Sequence, residues 1–286
     1  MKKILFAAMA LFACALASAQ SDSERYEQRY DMLVSRLGAA GLGIETVLDN
    51  WEKVDSTNAK MLLGRFSYLF TKAQTTEVVS KPGKKYLGMD PLLTLKDSLG
   101  NDICYYQHSV FDDDLYGQAI KAADKAISLH PDRLDFRFMK ANAYIAYEKE
   151  SPDMALAYLF SVIDEDGRRS QAWIYGDAQA EEGFFEEAMQ EYCYSFFSIG
   201  SERSREAFRS LSEKLSGIYP SNPEFVNNIG SYYLLKHEYK TALKYYNKVL
   251  KKHPEDRTAM QNALLAAKKM KNTKLEKKYH AMMAGN

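Results

Sequence analysis

The stretch from residue 223 to residue 254, PEFVNNIGSYYLLKHEYKTALKYYNKVLKKHP, decides the fold of this chain. Large apolar residues recur in both halves of it at the spacing of a helix face. They are Val226, Ile229 and Tyr233 in the first half, and Tyr239, Leu243, Tyr246 and Leu250 in the second. Gly230 and Ala242 carry almost no side chain, so two helices can cross closely there. Pro254 cannot continue a helix and restricts the residue before it, so the stretch predicts a helical hairpin that ends at this proline.

A second proline, Pro220, precedes Pro254 by 34 residues. In this spacing the chain resembles the tetratricopeptide repeat (TPR) family, which repeats a helix–turn–helix unit about every 34 residues. Gly230 and Ala242 fall at the small positions of that motif, and Tyr246 falls at the aromatic position of its second helix. The resemblance implies an all-α fold, a TPR-like α-solenoid of helical hairpins. In that family the first helices line a concave side that usually binds peptides or protein segments.

Weaker copies of the same pattern predict further helix pairs. The pairs are residues 24–37 with 44–54, 58–73 with a helix ending at Pro131, 134–147 with a helix that begins at Pro152, and 184–199 with 202–218. If first and second helices alternate along the chain, an even number of helices must lie between the helix that begins at Pro152 and the one that begins at Pro223. The pair 184–199 and 202–218 already supplies two, so residues 166–180 are predicted to be a linker with an irregular turn around Gly176-Asp177. The alternative places a first helix at residues 170–181 and leaves one helix without a partner.

An insertion of about forty residues separates the helix at 58–73 from its partner. Two β-prone runs, residues 92–96 and 103–108, flank a turn-rich spacer there and predict a small β-hairpin. The chain is thereby divided into a signal peptide at 1–19, N-terminal helices at 20–73, the insertion at 74–111 and a TPR-like repeat array at 112–286. Within the array, residues 223–254 are the best repeat, and the Lys-rich residues 256–284 fit a terminal cap.

The first nineteen residues have the pattern of an exported bacterial protein. Lys2 and Lys3 precede an apolar run at residues 4–16, and Ala17-Ser18-Ala19 matches a signal-peptidase site. The expected location is therefore periplasmic or secreted. In the alternative, Leu11-Phe12-Ala13-Cys14 is a lipoprotein box and the protein is anchored through Cys14. No other segment approaches the ~20 apolar residues of a transmembrane span.

Charge is distributed unevenly along a chain whose formal net charge is zero. From Lys236 to the end, thirteen Lys and Arg residues stand against four Asp and Glu residues, so the body before it is acidic. Export and this distribution argue against a nucleic-acid partner. The acidic body of one molecule and the basic end of another suggest self-association. Whether Cys104 and Cys193 pair stays open at this stage.

No motif of catalysis or of cofactor or metal binding is present in the sequence. The five histidines are not spaced as metal ligands, and no Cys-x-x-Cys, HExxH, Gly-x-Ser-x-Gly or Gly-rich phosphate loop occurs. Cys193 stands among aromatic residues, which is typical of a core thiol. Asp112-Asp113-Asp114 is consecutive rather than alternating, which fits a helix N-terminus better than a calcium loop. We therefore expect no enzyme, no cofactor and no metal.

The resemblance places the partner-binding surface on the first helices of the array. The candidate residues there are Asn227, Asn228, Ser231 and Leu234 in the best repeat and Gln261 in the cap. Lys240, Lys244 and Lys248 lie about one turn apart on the following second helix and are candidates for contacting an acidic partner. The expected function is a non-catalytic scaffold of the cell envelope that binds a protein or peptide. The alternative is an envelope enzyme or carbohydrate-binding protein with a site built by the insertion at 74–111.

Overall fold

The computed structural model describes residues 21–284. The predicted signal peptide at residues 1–19 and the alternative anchor at Cys14 lie outside the described residues. The described chain divides into two compact units, residues 21–75 with 111–131 and residues 76–110 with 132–284. No helix in this described part is long and apolar enough to cross a membrane.

Helices account for nearly all of the first unit. They are α1 Asp22–Leu37, α2 Ile44–Val54, α3 Ala59–Ala73 and α4 Asp113–Leu129. The side chains of Ser21, Asn58 and Asp112 each accept a backbone N–H from the first turn of the helix that follows, which fixes where three of the helices begin. α3 packs against α4, the pair predicted to flank the insertion. The two helices can pack closely because α4 places small residues, Ala119, Ala123 and Ala126, at its buried positions.

The insertion forms a three-stranded sheet. Its strands are β1 Gln74–Lys81, β2 Leu93–Lys96 and β3 Asp102–Phe111, in the order β1-β3-β2. The antiparallel pairing of β2 with β3 confirms the predicted hairpin, with Leu93 opposite Tyr105. β1 was not predicted, because no Gly or Pro separates it from α3. Gln74 leaves the helix in an extended conformation, with φ −95° and ψ 127°, so the chain passes directly from helix to strand.

Eight helices follow in the second unit as four consecutive hairpins. They are α5 Leu134–Glu148, α6 Asp153–Asp166, α7 Phe184–Ile199, α8 Glu202–Ile218, α9 Pro223–Leu235, α10 Tyr239–Lys252, α11 Arg257–Lys269 and α12 Thr273–Ala284. Equivalent helices of successive hairpins also touch: α7 packs on α9, α9 on α11, and α6 on α8. This repeated stacking confirms the TPR-like all-α arrangement of helical hairpins.

The best repeat packs as its sequence predicts. Gly230 lies so close to Tyr246 that a Cβ atom added at residue 230 would be 2.6 Å from the tyrosine Cε1 atom. Tyr246 is fully buried, and Ala242 is buried beside it on α10. The missing side chain of Gly230 is therefore the space that the aromatic ring of the second helix occupies.

The linker between α6 and α7 is not helical, so the alternative first helix at residues 170–181 is wrong. It contains a second, very short hairpin of β4 Ile174–Tyr175 and β5 Ala178–Gln179. Gly176 has φ 62° at the first central position of this two-residue turn, where glycine avoids the strain of a left-handed conformation. The linker therefore spans a shorter distance than its number of residues suggests, because it folds back on itself.

Trp173 anchors the linker hairpin to the helices before it. Its indole ring is 3% exposed and is covered by the guanidinium groups of Arg137 and Arg169, at 4.6 and 3.7 Å from the ring centre. Its Nε1–H donates to the carboxylate of Asp166 at 2.8 Å. Arg137 in turn donates two hydrogen bonds to Glu165 at 2.9 and 2.5 Å, so its buried charge is paired. This network holds the hairpin in one place beside α5.

Candidate functional site

An open groove of about 420 Å³ lies between α5 and α7, with the linker hairpin as its third wall. Its lining combines aromatic, acidic and small polar side chains. The residues are Phe138 and Asn142 on α5, Tyr175 on β4, and Phe184, Glu187, Ala188, Glu191, Tyr192 and Ser195 on α7. A concave site that is mostly apolar and carries a few polar groups is typical of ligand pockets.

Four aromatic rings form a continuous row along the groove. The ring of Tyr175 lies 4.7 Å from that of Phe184 and 6.3 Å from that of Phe138, and Phe138 lies 5.5 Å from Tyr192. Tyr192 is buried at the base of the row and donates its hydroxyl hydrogen to the carbonyl oxygen of Phe138 at 3.3 Å. By contrast, Tyr175 is 46% exposed. The row therefore runs from the buried, hydrogen-bonded ring of Tyr192 to the exposed ring of Tyr175.

Two carboxylates stand on the same face of α7 as this row. Glu187 and Glu191 are four residues apart, a spacing that brings side chains together on a helix surface. Both are exposed, and within residues 21–284 neither side chain forms an ion pair or a hydrogen bond. Asn142, also exposed, adds an amide from α5. The groove thus offers uncompensated negative charge beside aromatic faces.

Negative charge continues from the groove to the start of α9. The pKa of Glu224, at the start of α9, is raised, first by its burial and then by repulsion from Glu186, Asp256, Glu187 and Glu191. The four repelling groups lie on or next to α7 and α11, the neighbours of α9. The surface around the start of α9 is therefore acidic.

The predicted amides of the best repeat are used inside the fold. Asn227 is 5% exposed, and its Nδ2 group donates to both carboxylate oxygens of Asp256 at 3.3 Å. Its Oδ1 atom is buried without a hydrogen-bond partner. Asn228 donates to the Gln190 side chain at 2.8 Å and so joins α9 to α7. Neither amide presents all of its polar atoms to a ligand.

The remaining predicted residues are spread over two kinds of surface. Ser231 donates to the backbone oxygen of Asn227 at 3.0 Å and is half-buried, as is Leu234. Gln261 is exposed on α11. Lys240, Lys244 and Lys248 are exposed on α10, a second helix. The structure does not bring these lysines together with the first-helix residues, and none of them lines the groove between α5 and α7.

A second groove, of about 350 Å³, lies between the insertion and the helices α5 and α7. Its lining is largely apolar, with Leu87, Met89, Ile145 and Ile199 among its residues. At its wall the Lys149 ammonium donates to Nε2 of His108 at 3.0 Å. Burial and the positive charges of Lys149 and Lys81 lower the pKa of His108, which keeps the imidazole neutral.

Groups able to act as nucleophiles or metal ligands are not assembled in the described residues. Cys104 and Cys193 are both buried free thiols. Burial raises the pKa of the Cys193 thiol to about 12, so the reactive thiolate is strongly disfavoured. Residues 21–284 contain no cluster of three or more His, Cys, Asp or Glu side chains suited to a metal ion.

Sequence reasoning missed the groove between α5 and α7. Tyr175, Phe184 and Tyr192 have the spacing and residue type of core aromatics, and the linker was expected to be irregular. One signal was present: Gly176-Asp177 between Tyr175 and Ala178 is a two-residue hairpin turn with glycine first. What no pattern indicated is where this hairpin docks.

No family model and no curated protein matches the chain. Solved structures similar to it include MamA 41-end from Desulfovibrio magneticus RS-1, with 12% sequence identity and a TM-score of 0.39 over 84% of this chain and 99% of that one. Another is a crystal structure of MamA protein, with 15% identity and a TM-score of 0.34 over 58% of this chain and 80% of that one. Identities and TM-scores this low transfer no function, and the fold assignment rests on the helix pairs described above.

Proposed function

We propose that the protein is a non-catalytic scaffold that binds an extended segment of another protein in the groove between α5 and α7. The observation that carries this proposal is the row of four aromatic rings, exposed at Tyr175, beside two carboxylates that have no ion pair within residues 21–284. Aromatic side chains at partly exposed sites supply large contact area at little entropic cost, and they dominate binding energy in protein interfaces.

The size and position of the groove suit a peptide rather than a folded domain. About 420 Å³ is room for a few side chains, and the cleft is open to solvent. Tyr175 stands exposed at its edge, where a partner would cover it. The buried network around Trp173 and Arg137 holds the hairpin wall in place before binding, which lowers the entropic cost of association.

A selection of random peptides on the full chain tests the proposal. Peptides recovered are measured by fluorescence polarisation against the protein and against Tyr175→Ala, which removes the exposed ring of the row. We expect Tyr175→Ala to weaken binding by about tenfold or more, in the range of interface hot spots. Tyr194→Ala is the matched control, since Tyr194 is 63% exposed on the same helix α7 but does not line the groove.

The control variant is expected to bind within about twofold of the parent, as surface substitutions outside an interface do. If no peptide binds, or if the two tyrosine variants bind equally well, the groove is not the peptide site. Circular dichroism of both variants checks that the fold is retained.

We further propose that the protein acts in the cell envelope after export. The support is the leader pattern of residues 1–19 and the Ala17-Ser18-Ala19 site. The mass of the N-terminal peptide of protein isolated from a secreting host separates cleavage after Ala19 from lipidation at Cys14. An uncleaved N-terminus would overturn both.

A further inference from the structure

We propose that the groove between α5 and α7 recognises an arginine side chain of the extended segment it binds. This inference rests on the proposed function, because it names the chemistry of the same ligand. Glu187 and Glu191 would accept hydrogen bonds from the guanidinium group, and the exposed ring of Tyr175 would cover its plane.

The carboxylate pair calls for a cationic partner with several donors. Glu187 and Glu191 are both on the groove lining, with no ion pair in the described chain. A peptide that covers the groove removes water from both of them, and an apolar or acidic side chain would leave their charges uncompensated. Arginine carries five N–H donors in a planar fork and can serve both carboxylates at once.

The aromatic row distinguishes arginine from lysine. A guanidinium group is planar and weakly hydrated, so it stacks on an aromatic face while its edge donates hydrogen bonds. A lysine ammonium is a compact, strongly hydrated point charge that cannot do both in one plane. Tyr175, which is 46% exposed, stands at the open edge of the groove, and its ring packs 4.7 Å from the partly buried ring of Phe184.

The chain contains the same combination within its own fold. Arg209 on α8 donates to Glu206 and to Glu213, at 3.2 and 3.0 Å, and its guanidinium lies 5.3 Å from the ring centre of Tyr232. Two carboxylates and one aromatic ring therefore suffice to fix an arginine here. The groove supplies two carboxylates and more than one ring, but no arginine of its own.

The basic C-terminal end of a second copy is the competing occupant. That end is rich in lysine, and Arg257 is its single arginine. If arginine is what the groove recognises, the lysine-rich helices match it less well than an arginine peptide. Sedimentation velocity of the full chain over a range of concentrations separates this occupant from a peptide partner.

The decisive experiment compares three blocked peptides that differ at one side chain. They are Ac-Gly-Ser-Arg-Ser-Gly-NH2 and the same peptide with citrulline or lysine in place of arginine. Citrulline keeps the shape of arginine without its charge. Binding is followed through the ¹³C-labelled methyl group of Ala188, which lines the groove. We expect the arginine peptide to bind about tenfold or more tightly than the citrulline peptide, and more tightly than the lysine peptide.

Two double variants of equal charge complete the test. Glu187→Gln with Glu191→Gln should weaken the arginine peptide by about tenfold or more and leave the citrulline peptide within about twofold. Glu181→Gln with Glu182→Gln changes the same charge at exposed positions outside the groove and should leave both peptides unchanged.

Three results would overturn the inference. Equal binding of the arginine and citrulline peptides would remove arginine selectivity, although the groove would remain a peptide site if selected peptides still require Tyr175. If both double variants lost arginine-peptide binding equally, the effect would come from the overall negative charge of the surface and not from contacts of Glu187 and Glu191. Self-association that protects Ala188 and excludes the peptides would assign the groove to a second copy.

Discussion

Two regions of the second unit differ in how they use their polar side chains. In the hairpin of α9 and α10, which matches the repeat motif best, the amides of Asn227 and Asn228 are bonded to Asp256 and Gln190 within the fold. In the groove between α5 and α7, where the match to the motif is weaker, the side chains of Glu187 and Glu191 have no ion-pair or hydrogen-bond partner in the described chain. The region that resembles the family most is the one whose polar groups are already used.

The difference arises from how the first helices are spaced. α9 packs directly on α7 and α11, so short polar side chains reach across from one helix to the next. Between α5 and α7 the linker hairpin inserts Tyr175 against Phe138 and Phe184. The hairpin therefore contacts both helices and forms one wall of the groove between them. A departure from the repeat therefore leaves a groove with free polar groups, whereas the best-matching repeat uses its amides inside the fold.

The largest expected effect comes from removing the anchor of the hairpin. Trp173→Ala should lower the free energy of unfolding by about 3–5 kcal/mol, because it leaves a cavity and exposes the paired charges of Arg137 and Glu165. Urea unfolding measures the loss. Hydrogen exchange should show faster opening at the amides of Ile174 and Ala180, which bond to Asp132 and Trp173 carbonyl groups.

Trp173→Phe is the matched control for this variant. Phenylalanine keeps an aromatic face for the two arginines but loses the hydrogen bond to Asp166, so a smaller loss of about 1–2 kcal/mol is expected. If Trp173→Ala left both stability and peptide binding unchanged, the hairpin would be held by other contacts and the comparison between the two regions would fail.

The helix pairs could be predicted because their determinants are local. Gly230, Ala242 and Pro254 lie within one hairpin, and the apolar spacing of each helix depends only on neighbouring residues. The hairpin of β2 and β3 was visible for the same reason, as a turn between two β-prone runs. β1 was missed because it follows α3 without a break, although its Thr75, Thr76, Val78 and Val79 are β-branched residues that favour a strand.

The groove could not be predicted because its determinants are far apart in the sequence. Trp173 is held by Arg137, 36 residues earlier, and no local pattern indicates such a contact. The positions of Asn227 and Asn228 on a first helix were readable from the sequence, but the partners that engage them lie 29 and 38 residues away. Predicting exposure from helix position alone omits what neighbouring repeats contribute.

A second, smaller effect tests the packing of the motif-matching hairpin. Gly230→Ala should destabilise the protein by about 1–3 kcal/mol, because the added Cβ atom would lie 2.6 Å from the buried ring of Tyr246. Gly217→Ala is the matched control, since Gly217 is also helical and nothing lies within 4 Å of a Cβ atom there. Alanine should be neutral or stabilise by up to about 1 kcal/mol at that position.

Equal unfolding midpoints for these two alanine variants in urea would contradict the close approach of α9 and α10. The groove between α5 and α7 should be unaffected by either change, so peptide binding serves as an internal reference in the same experiment.

The third effect separates the two regions with one type of substitution. Asn227→Ala should cost about 1 kcal/mol of stability and leave peptide binding within about twofold, because its amide is buried and bonded to Asp256. Asn142→Ala should leave stability unchanged and weaken peptide binding, because that amide is exposed on the groove lining. If Asn227→Ala instead weakened peptide binding and Asn142→Ala instead lowered stability, the binding surface would lie on the best repeat.

The smallest effect is expected at the lysines of α10. Replacing Lys240, Lys244, Lys248 and Lys251 with Gln should shift the thermal midpoint by no more than about 2 °C, because exposed side chains without ion pairs contribute little to stability. Any change should be slightly favourable, since like charges one turn apart on a helix repel. Peptide binding in the groove should be unchanged, because none of the four lines it. If the quadruple variant instead loses peptide binding, or loses a self-association seen in the parent by sedimentation velocity, these lysines are a docking surface. Binding would then involve the second helices as well as the first, in addition to the two regions compared above.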